Sequence, residues 1–506
     1  MLQRSVKSYY PPNFISFAAY YIMSAKRNNN NALKRGEEIE VTISKMAFGG
    51  RGIAKMPTEK GELVVFVPNT IPGQVVKCRV VKSRKNHVET KLLEIVEKSP
   101  DEVSIPYQPI AGAPYATLPV QLQQKYKQET CIDLFRRIGG VQNADILFDT
   151  LLSSPDNWHY RNKMEYSFAA IRYDLHTHEE LDEFALGFKH RGTWWMVENL
   201  DADSGLFDEQ VENNLHIIRK FCEDSGLPPW HAPRREGFFR FLTVRKSYAN
   251  DQVLFNLVTT SDNLAKFDMD GFVQLLQKLF AERLAGILHT INDDKGDRVQ
   301  PLEGASRTIV GKDFITENLS GIDFDIRMES FFQTNPKSAE VLYNKAISYL
   351  KEKVNTEGTI LDLFCGTGTI SQLVSREMPH AKVIGVEIEQ SAVEDARKAA
   401  AANGVTNTTF YAADVNKFLQ EHPQYGGKID AVILDPPRAG IAPKALKRTI
   451  ELHAPIIVYI SCNPATLARD TNTLNQEGFE LVKYSLVDQF PHTSHVEAVA
   501  LFQKKS

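Results

Sequence analysis

The chain has 506 residues, a net charge of −4, 42% hydrophobic and 24% charged residues; this exceeds one core, predicts about three domains and excludes a largely disordered chain. Any nucleic-acid surface must be a local basic patch. Five cysteines (Cys78, Cys131, Cys222, Cys365 and Cys462), none in a C-x-x-C pair, exclude a disulfide scaffold and signal no zinc site, and no apolar run approaches the ~20 residues of a membrane span.

Residues 1–36 lack Asp and Glu but carry Arg4, Lys7, Lys26, Arg27, Lys34 and Arg35. Phe14 to Met23 is apolar, and Met23 opens a polar, asparagine-rich stretch like a second start. The reading is a disordered basic extension; targeting peptides fit it poorly because no small-x-small site follows and arginine is sparse. Over 37–97, short β-branched runs (Ile39, Val41, Ile43; Val64 to Val67; Val75, Val76, Val80, Val81) broken by Gly and Pro predict a small barrel. Lys77, Arg79, Lys82, Arg84 and Lys85 along its last stretch are either a phosphate footprint or lysines protecting a strand edge.

Residues 98–325 read as mixed α+β. Strands are predicted at Tyr160–Phe168, Gly187–Gly192 and Phe238–Arg245, and helices near 207–224 and 269–285. From about 326 strands and helices alternate, which predicts a doubly wound parallel sheet covered on both faces. Its strands run through Thr359–Phe364, Val383–Glu387, Thr409–Tyr411, Ala431–Leu434, Ile456–Ser461 and Val496–Phe502. Ligands in such sheets bind at the carboxyl ends of strands, where Asp362, Glu387, Asp414, Asp435 and Cys462 all fall.

Gly366-Thr-Gly368 allows a tight turn and close backbone approach to a ligand, and Glu387, 21 residues after Gly366, is positioned for the hydroxyls of an adenosine ribose. A dinucleotide loop needs a third glycine where Ser371 stands, so the pattern favours S-adenosylmethionine over NAD. Asp435-Pro-Pro-Arg438 puts a carboxylate on a stiff loop. Amino-group methyltransferases carry an aromatic residue where this chain has Arg438, which argues for transfer to a ring carbon. Cys462, inside Ser461-Cys-Asn-Pro464, faces the same cleft. Carbon 5 of uracil is a poor nucleophile until a thiolate adds at carbon 6. A base must then remove the carbon 5 proton before elimination, and Glu497 is the candidate.

At these residues the chain resembles the RNA 5-methyluridine methyltransferases that modify bacterial 23S rRNA and the T-loop of tRNA. The likeness covers about residues 37–506 and is carried by Ser330-Phe-Phe-Gln-Thr-Asn335, Leu361–Gly368, Asp435–Gly440, Ser461–Asp470 and His492–Glu497. It implies a Rossmann-like S-adenosylmethionine-dependent domain over 326–506, an OB-type TRAM barrel over 37–97 and a central α+β RNA-binding region over 98–325. It implies Cys462 as nucleophile and Glu497 as base. Cofactor contacts are implied for Gln333, Phe364, Thr369, Glu387, Asp414 and Asp435, and Phe331 is implied to pack near a flipped uracil, with Arg438 also on the substrate side.

Many rRNA-modifying members hold a [4Fe–4S] cluster with three cysteines just after the barrel. Here 105–115 contains none, so no cluster is expected. The barrel and the long central region favour 23S rRNA over tRNA. Methylation of tRNA uridine or of RNA cytosine is a rival reading, as is an RNA-binding assembly factor with a vestigial catalytic domain. A cytoplasmic monomer is expected.

Overall fold

A computed structural model describes residues 33–58, 61–301, 306–425 and 427–505; the expectation for the basic extension falls, up to residue 32, outside the described residues. The chain divides into two compact units, one of residues up to 45 with 51–98, the other of 46–50 with 99 onward.

The first unit is built on β1 (Glu38–Thr42), β2 (Lys45–Ala47), β3 (Arg51–Thr58), β4 (Gly61–Pro68), β5 (Val75–Ser83) and β6 (His87–Glu97), in the order β1-β5-β6-β4-β3-β2. Alternation sets the faces: Val76, Cys78 and Val80 of β5 are buried in a core with Val41, Val65 and Val88, while Lys77 and Arg79 point outward. The basic edge is narrower than its sequence implies. Lys77 and Arg79 pair with Glu38, and Lys82 with Glu89; exposed Arg84 and Lys85, at the β5–β6 turn, form no ion pair among the described residues.

The second unit begins with α1 (Val120–Arg137) and β7 (Phe148–Leu152). Next come β8 (Lys163–Ala169), β9 (Arg172–Tyr173), β10 (Glu180–Leu181), β11 (Ala185–Lys189), β12 (Val197–Asn199), α2 (Glu209–Asn213) and α3 (Leu215–Asp224). They are followed by β13 (Phe239–Lys246), β14 (Val253–Thr259), α4 (Met269–Phe280), β15 (Leu284–Ile291) and β16 (Arg307–Gly311). All these strands except β7 form one nine-stranded sheet, β10-β9-β12-β11-β8-β13-β14-β15-β16. Its β14 is buried at every position, and apolar faces of α3 (Leu215, Ile218, Cys222) and α4 (Phe272, Leu276, Phe280) join its core.

A hairpin of β17 (Phe314–Leu319) and β18 (Ile322–Arg327) leads to α5 (Pro336–Lys351). The chain continues through β19 (Thr359–Leu363), α6 (Thr369–Glu377), β20 (Lys382–Glu387), α7 (Gln390–Ala402), β21 (Thr408–Ala412), α8 (Val415–Glu421) and β22 (Ala431–Leu434). It ends with α9 (Pro443–Glu451), β23 (Ile456–Ser461), α10 (Pro464–Gln476), β24 (Phe479–Val487) and β25 (Glu497–Lys504). The sheet order is β21-β20-β19-β22-β23-β25-β24-β7. One face is covered by α5 and α6 (Leu342, Ala346, Leu373), the other by α1, α9 and α10 (Phe135, Leu446, Leu467).

This sheet differs from the all-parallel expectation in two ways. β25 is antiparallel to both β23 and β24; only residues 488–496 separate β24 from β25, too few for the crossover a parallel neighbour requires. And β7, from early in the chain, pairs parallel with β24 as the edge strand. Strand order reverses between β19 and β22, so the carboxyl ends of those two strands flank the switch point where ligands bind in such sheets.

Candidate active site

β19 delivers Asp362, fully buried, to the switch point. Ser371 Oγ donates to Asp362 Oδ2 at 2.5 Å, while Oδ1 is buried without a partner among the described residues. Burial pushes this carboxyl up to about 7. After β19 the chain turns sharply: Phe364, Gly366 and Gly368 all have positive φ. A Cβ on Gly368 would lie 2.6 Å from the Phe410 ring, so both its backbone and its packing require glycine. Thr369, buried, then opens α6.

Glu387 ends β20 with its carboxylate turned onto the loop. Gly366 N donates to Oε2 at 3.0 Å, and Ile388 N and Glu389 N donate to Oε1 at 2.7 and 3.2 Å. Asp414 caps α8, accepting from Lys417 N at 2.9 Å. Asp435, directly after β22, is pushed up to about 7, first by burial and then by the charge of Asp362.

Cys462 follows β23 and is partly exposed. Asn463 caps α10, accepting from Ala465 N at 3.2 Å, and its Nδ2 donates to the Arg438 carbonyl at 3.0 Å, tying the Cys462 turn to the 435–440 loop. Glu497 opens β25 and is 2% exposed. Since Ser461 pairs with Ala498 in the antiparallel ladder, one further step sets Cys462 opposite Glu497. Burial, then the charges of Glu497 and Asp435, push the Cys462 thiol up to about 12, with Arg438 opposing. Burial and then Asp435 push Glu497 up to about 8, again opposed by Arg438. Asp362, Asp435, Cys462, Glu497 and Arg438 thus share one electrostatic neighbourhood.

Gln333 reaches the same region from the loop before α5; Gln489 Nε2 donates to its Oε1 at 3.1 Å. Phe331 is 75% exposed, whereas Phe332 beside it is buried. Arg438 is exposed, and its Nη2 lies 2.7 Å from His495 Nδ1 and 3.3 Å from Nε2.

Several residues here escaped the sequence reading. Tyr343 of α5 is buried, and its hydroxyl is raised by burial and then by Asp435, which brings it to the carboxylate cluster. Segment 488–495, which feeds Glu497 into β25, is clamped from the other end of the chain. Lys127 Nζ donates to Asp488 Oδ1 at 2.5 Å and to the Phe490 carbonyl at 3.1 Å. Gln123 Nε2 donates to His492 Nδ1 at 3.0 Å, and its Oε1 accepts from His492 N at 2.7 Å. Trp158 stacks on the His492 ring at 3.6 Å, and Tyr160 Oη donates to the Pro491 carbonyl at 2.9 Å. On the far side, Tyr459 Oη and Arg469 Nε both donate to Asp470, whose Oδ2 also accepts from Ile441 N beside the 435–440 loop. Asp470 closes the Ser461–Asp470 motif, and Asp488 and Gln489 lie four and three residues before the His492–Glu497 motif; α1 gives no such signal.

The 105–115 stretch does not fit an iron–sulfur cluster. It supplies no thiolate, Ile110, Ala113 and Tyr115 are packed inward, and Gln108 braces it by donating to the Asn199 carbonyl at 2.7 Å and accepting from Asp201 N at 2.9 Å. Among the described residues no group of three or more His, Cys, Asp or Glu side chains is arranged to hold a metal ion. Among the same residues no helix is long and apolar enough to cross a membrane.

The tRNA (Uracil-5-)-methyltransferase family profile matches residues 302–505, and the TRAM domain profile matches 32–93. An uncharacterized RNA methyltransferase of Clostridium tetani is 36% identical over 478 residues, 94% of this chain and 99% of that protein. One of Chlorobaculum tepidum is 34% identical over 483 residues, 93% of this chain and 97% of that protein. The crystal structure of Pyrococcus abyssi tRNA (uracil-54, C5)-methyltransferase in complex with S-adenosyl-L-homocysteine superposes with a TM-score of 0.68 at 26% identity, covering 92% of this chain and all of that one. Similar to RNA methyltransferases along nearly its whole length, the chain belongs to the RNA (uracil-5-)-methyltransferase family and carries a TRAM domain at its N-terminal end.

Proposed function

We propose that this protein methylates carbon 5 of a uridine in RNA, foremost 23S rRNA, through a covalent adduct on Cys462. The observation that carries the reading is the ladder register that sets Cys462 opposite Glu497, beside Asp435 and Asp362. The cofactor is S-adenosylmethionine, and the residues fit it. Asp362, fully buried, and Asp435, partly buried, hold their protons to about pH 7, and among the described residues the Asp362 Oδ1 atom has no partner; such carboxyls accept from, and are ionised by, a cationic ligand. Gln333, Phe364, Thr369, Glu387, Asp414 and Asp435 hold it. When bound, it supplies an electrophilic methyl group.

The chain's own residues do the rest. The partly exposed Cys462 thiol gives its proton to solvent, and the sulfur adds to carbon 6 of the uracil. The electron pair of the carbon 5–carbon 6 double bond moves onto carbon 5 and O4, making carbon 5 nucleophilic. Once carbon 5 is methylated, Glu497 takes its proton, the double bond reforms and the thiolate leaves carbon 6. Phe331, exposed at the end of its loop, packs against the flipped base, and Arg438 contacts substrate at the cleft mouth. The TRAM barrel over 37–97 and the central region hold the RNA, and residues from 326 perform the transfer.

A tRNA T-loop uridine is the second reading, favoured by the likeness to the Pyrococcus abyssi enzyme. The two separate by mapping 5-methyluridine in 23S rRNA and tRNA from cells lacking the protein. Loss of one rRNA site with tRNA unchanged supports the first reading; the reverse supports the second. No loss in either RNA contradicts both.

A further inference from the structure

Among the described phenylalanines and tryptophans, two are exposed: Phe331, at 75%, and Trp194, at 53%. Trp194 lies in the loop between β11 and β12, remote in sequence from every motif of the catalytic cleft. The loop is locked. His190 N donates to the Met196 carbonyl at 2.9 Å, and Thr193 N and Oγ1 both donate to the His190 carbonyl, at 3.1 and 3.0 Å. The His190 ring stacks on Tyr173 at 3.7 Å, and its Nδ1 lies 2.5 Å from Glu198 Oε1. Trp195 meets the Trp194 ring edge-on, with centroids 5.7 Å apart. A bulky apolar ring is therefore held outward by a braced loop, without the burial that would make it a folding element.

The cation three residues before it has one long hydrogen bond. Arg191 is partly buried with the Glu198 charge in electrostatic reach, but among the described residues it forms no ion pair, and its guanidinium donates to the Ala111 carbonyl at 3.5 Å. Lys189, by contrast, is paired with Asp297. Ala111 belongs to the segment whose Tyr115 N donates to the His492 carbonyl at 3.0 Å. The loop is thus linked by one short stretch of chain to the segment that feeds Glu497 into β25. One exposed indole with one guanidinium that has no salt-bridge partner among the described residues is the pairing that holds unpaired nucleotides, the ring stacking on a base and the cation meeting a phosphate. It is too small a patch for a stable protein interface.

We propose that the β11–β12 loop is a second RNA contact, in which Trp194 stacks on an unpaired base outside the catalytic cleft and Arg191 meets a neighbouring phosphate. The proposal rests on RNA being the substrate, not on the cysteine chemistry.

Binding of a fluorescent 20-nucleotide oligouridylate and of unmodified 23S rRNA transcript is measured for wild type, Trp194→Ala and Trp194→Phe. Trp194→Ala weakens binding about fivefold or more, whereas Trp194→Phe stays near wild type because a stacking face remains. Unchanged melting and S-adenosylmethionine binding show that each variant is folded. In the wild-type protein, 4-thiouridine placed along the oligonucleotide cross-links to the peptide holding Trp194; this arm needs no variant to fold. Unchanged affinity for both RNAs, or cross-links that avoid the loop, overturns the proposal. Unchanged RNA affinity with altered sedimentation would assign the loop to a protein contact and overturn it equally. Measuring binding alone keeps the result separate from any failure of uridine methylation, because Cys462→Ala protein, unable to form the adduct, serves as a parallel background.

Discussion

Cys462 and Glu497 stand opposite each other across the junction of β23 and β25: Ile460 pairs with Val499, Ser461 with Ala498, and the same register carried one residue further sets Cys462 across from Glu497. The antiparallel direction of β25 makes this possible. In a parallel β25 the start of the strand would sit at the opposite end of the sheet from the end of β23. The same proximity appears in their acidities, since the Glu497 charge contributes to raising Cys462.

Cofactor affinity should depend on pH with a definite sign. Asp362 and Asp435 are held near 7 and Glu497 near 8, chiefly by burial. A bound cation favours their ionised forms, so S-adenosylmethionine affinity rises by up to about tenfold between pH 6 and 8. S-adenosylhomocysteine, lacking the sulfonium charge, rises less. Titration calorimetry at both pH values checks this; equal slopes for the two ligands would contradict it.

The same carboxyls affect stability. In the cofactor-free protein they keep protons that the unfolded chain has released, so stability falls as pH rises from about 4 to about 8. Asp435→Asn removes one contributor and flattens the fall. Thermal midpoints of both proteins across that range provide the measurement, and an unaltered slope in the variant would show that Asp435 is not held neutral.

The clamp on segment 488–495 depends on Lys127. This buried ammonium faces Asp488, both nearly inaccessible, and Lys127→Met leaves the carboxylate buried and uncompensated. The variant should lose about 3–5 kcal/mol in denaturant unfolding. Adding Asp488→Asn should restore part of the loss, whereas a loss that does not change on adding it would mean the two groups are not coupled.

RNA binding through the TRAM domain should rest on Arg84 and Lys85, because Lys77, Arg79 and Lys82 already have carboxylate partners. Replacing Arg84 and Lys85 with alanine should lower the salt slope of RNA affinity by roughly 1–2. A larger change from Lys77→Ala with Arg79→Ala would place the footprint on the strand face instead.

Much of the candidate site was legible in the sequence because its residues sit at the carboxyl ends of strands, Asp362 and Glu387 within the last residues of β19 and β20, Asp435 and Cys462 directly after β22 and β23. Glu497 was legible through its motif but not through its geometry, since an antiparallel β25 leaves no mark in the run Val496–Phe502. The supports from Gln123, Lys127 and Trp158 were not legible: they meet the 488–492 segment across more than 300 residues of sequence, and nothing local signals that contact. The cations of β5 looked free for the same reason, their Glu38 partner lying on another strand.

In the proposed mechanism Cys462 adds covalently to uridine and Glu497 releases the adduct. The most direct test mixes Glu497→Gln protein with S-adenosylmethionine carrying a labelled methyl group and unmodified 23S rRNA and tRNA transcripts. Addition and methylation need no base at carbon 5, but elimination does, so turnover drops about 10²–10⁴-fold. A protein–RNA adduct bearing the label should survive denaturing electrophoresis, and adding Cys462→Ala to the same protein should abolish it. Normal turnover by Glu497→Gln with no trapped adduct, or an adduct that persists without Cys462, would contradict the account.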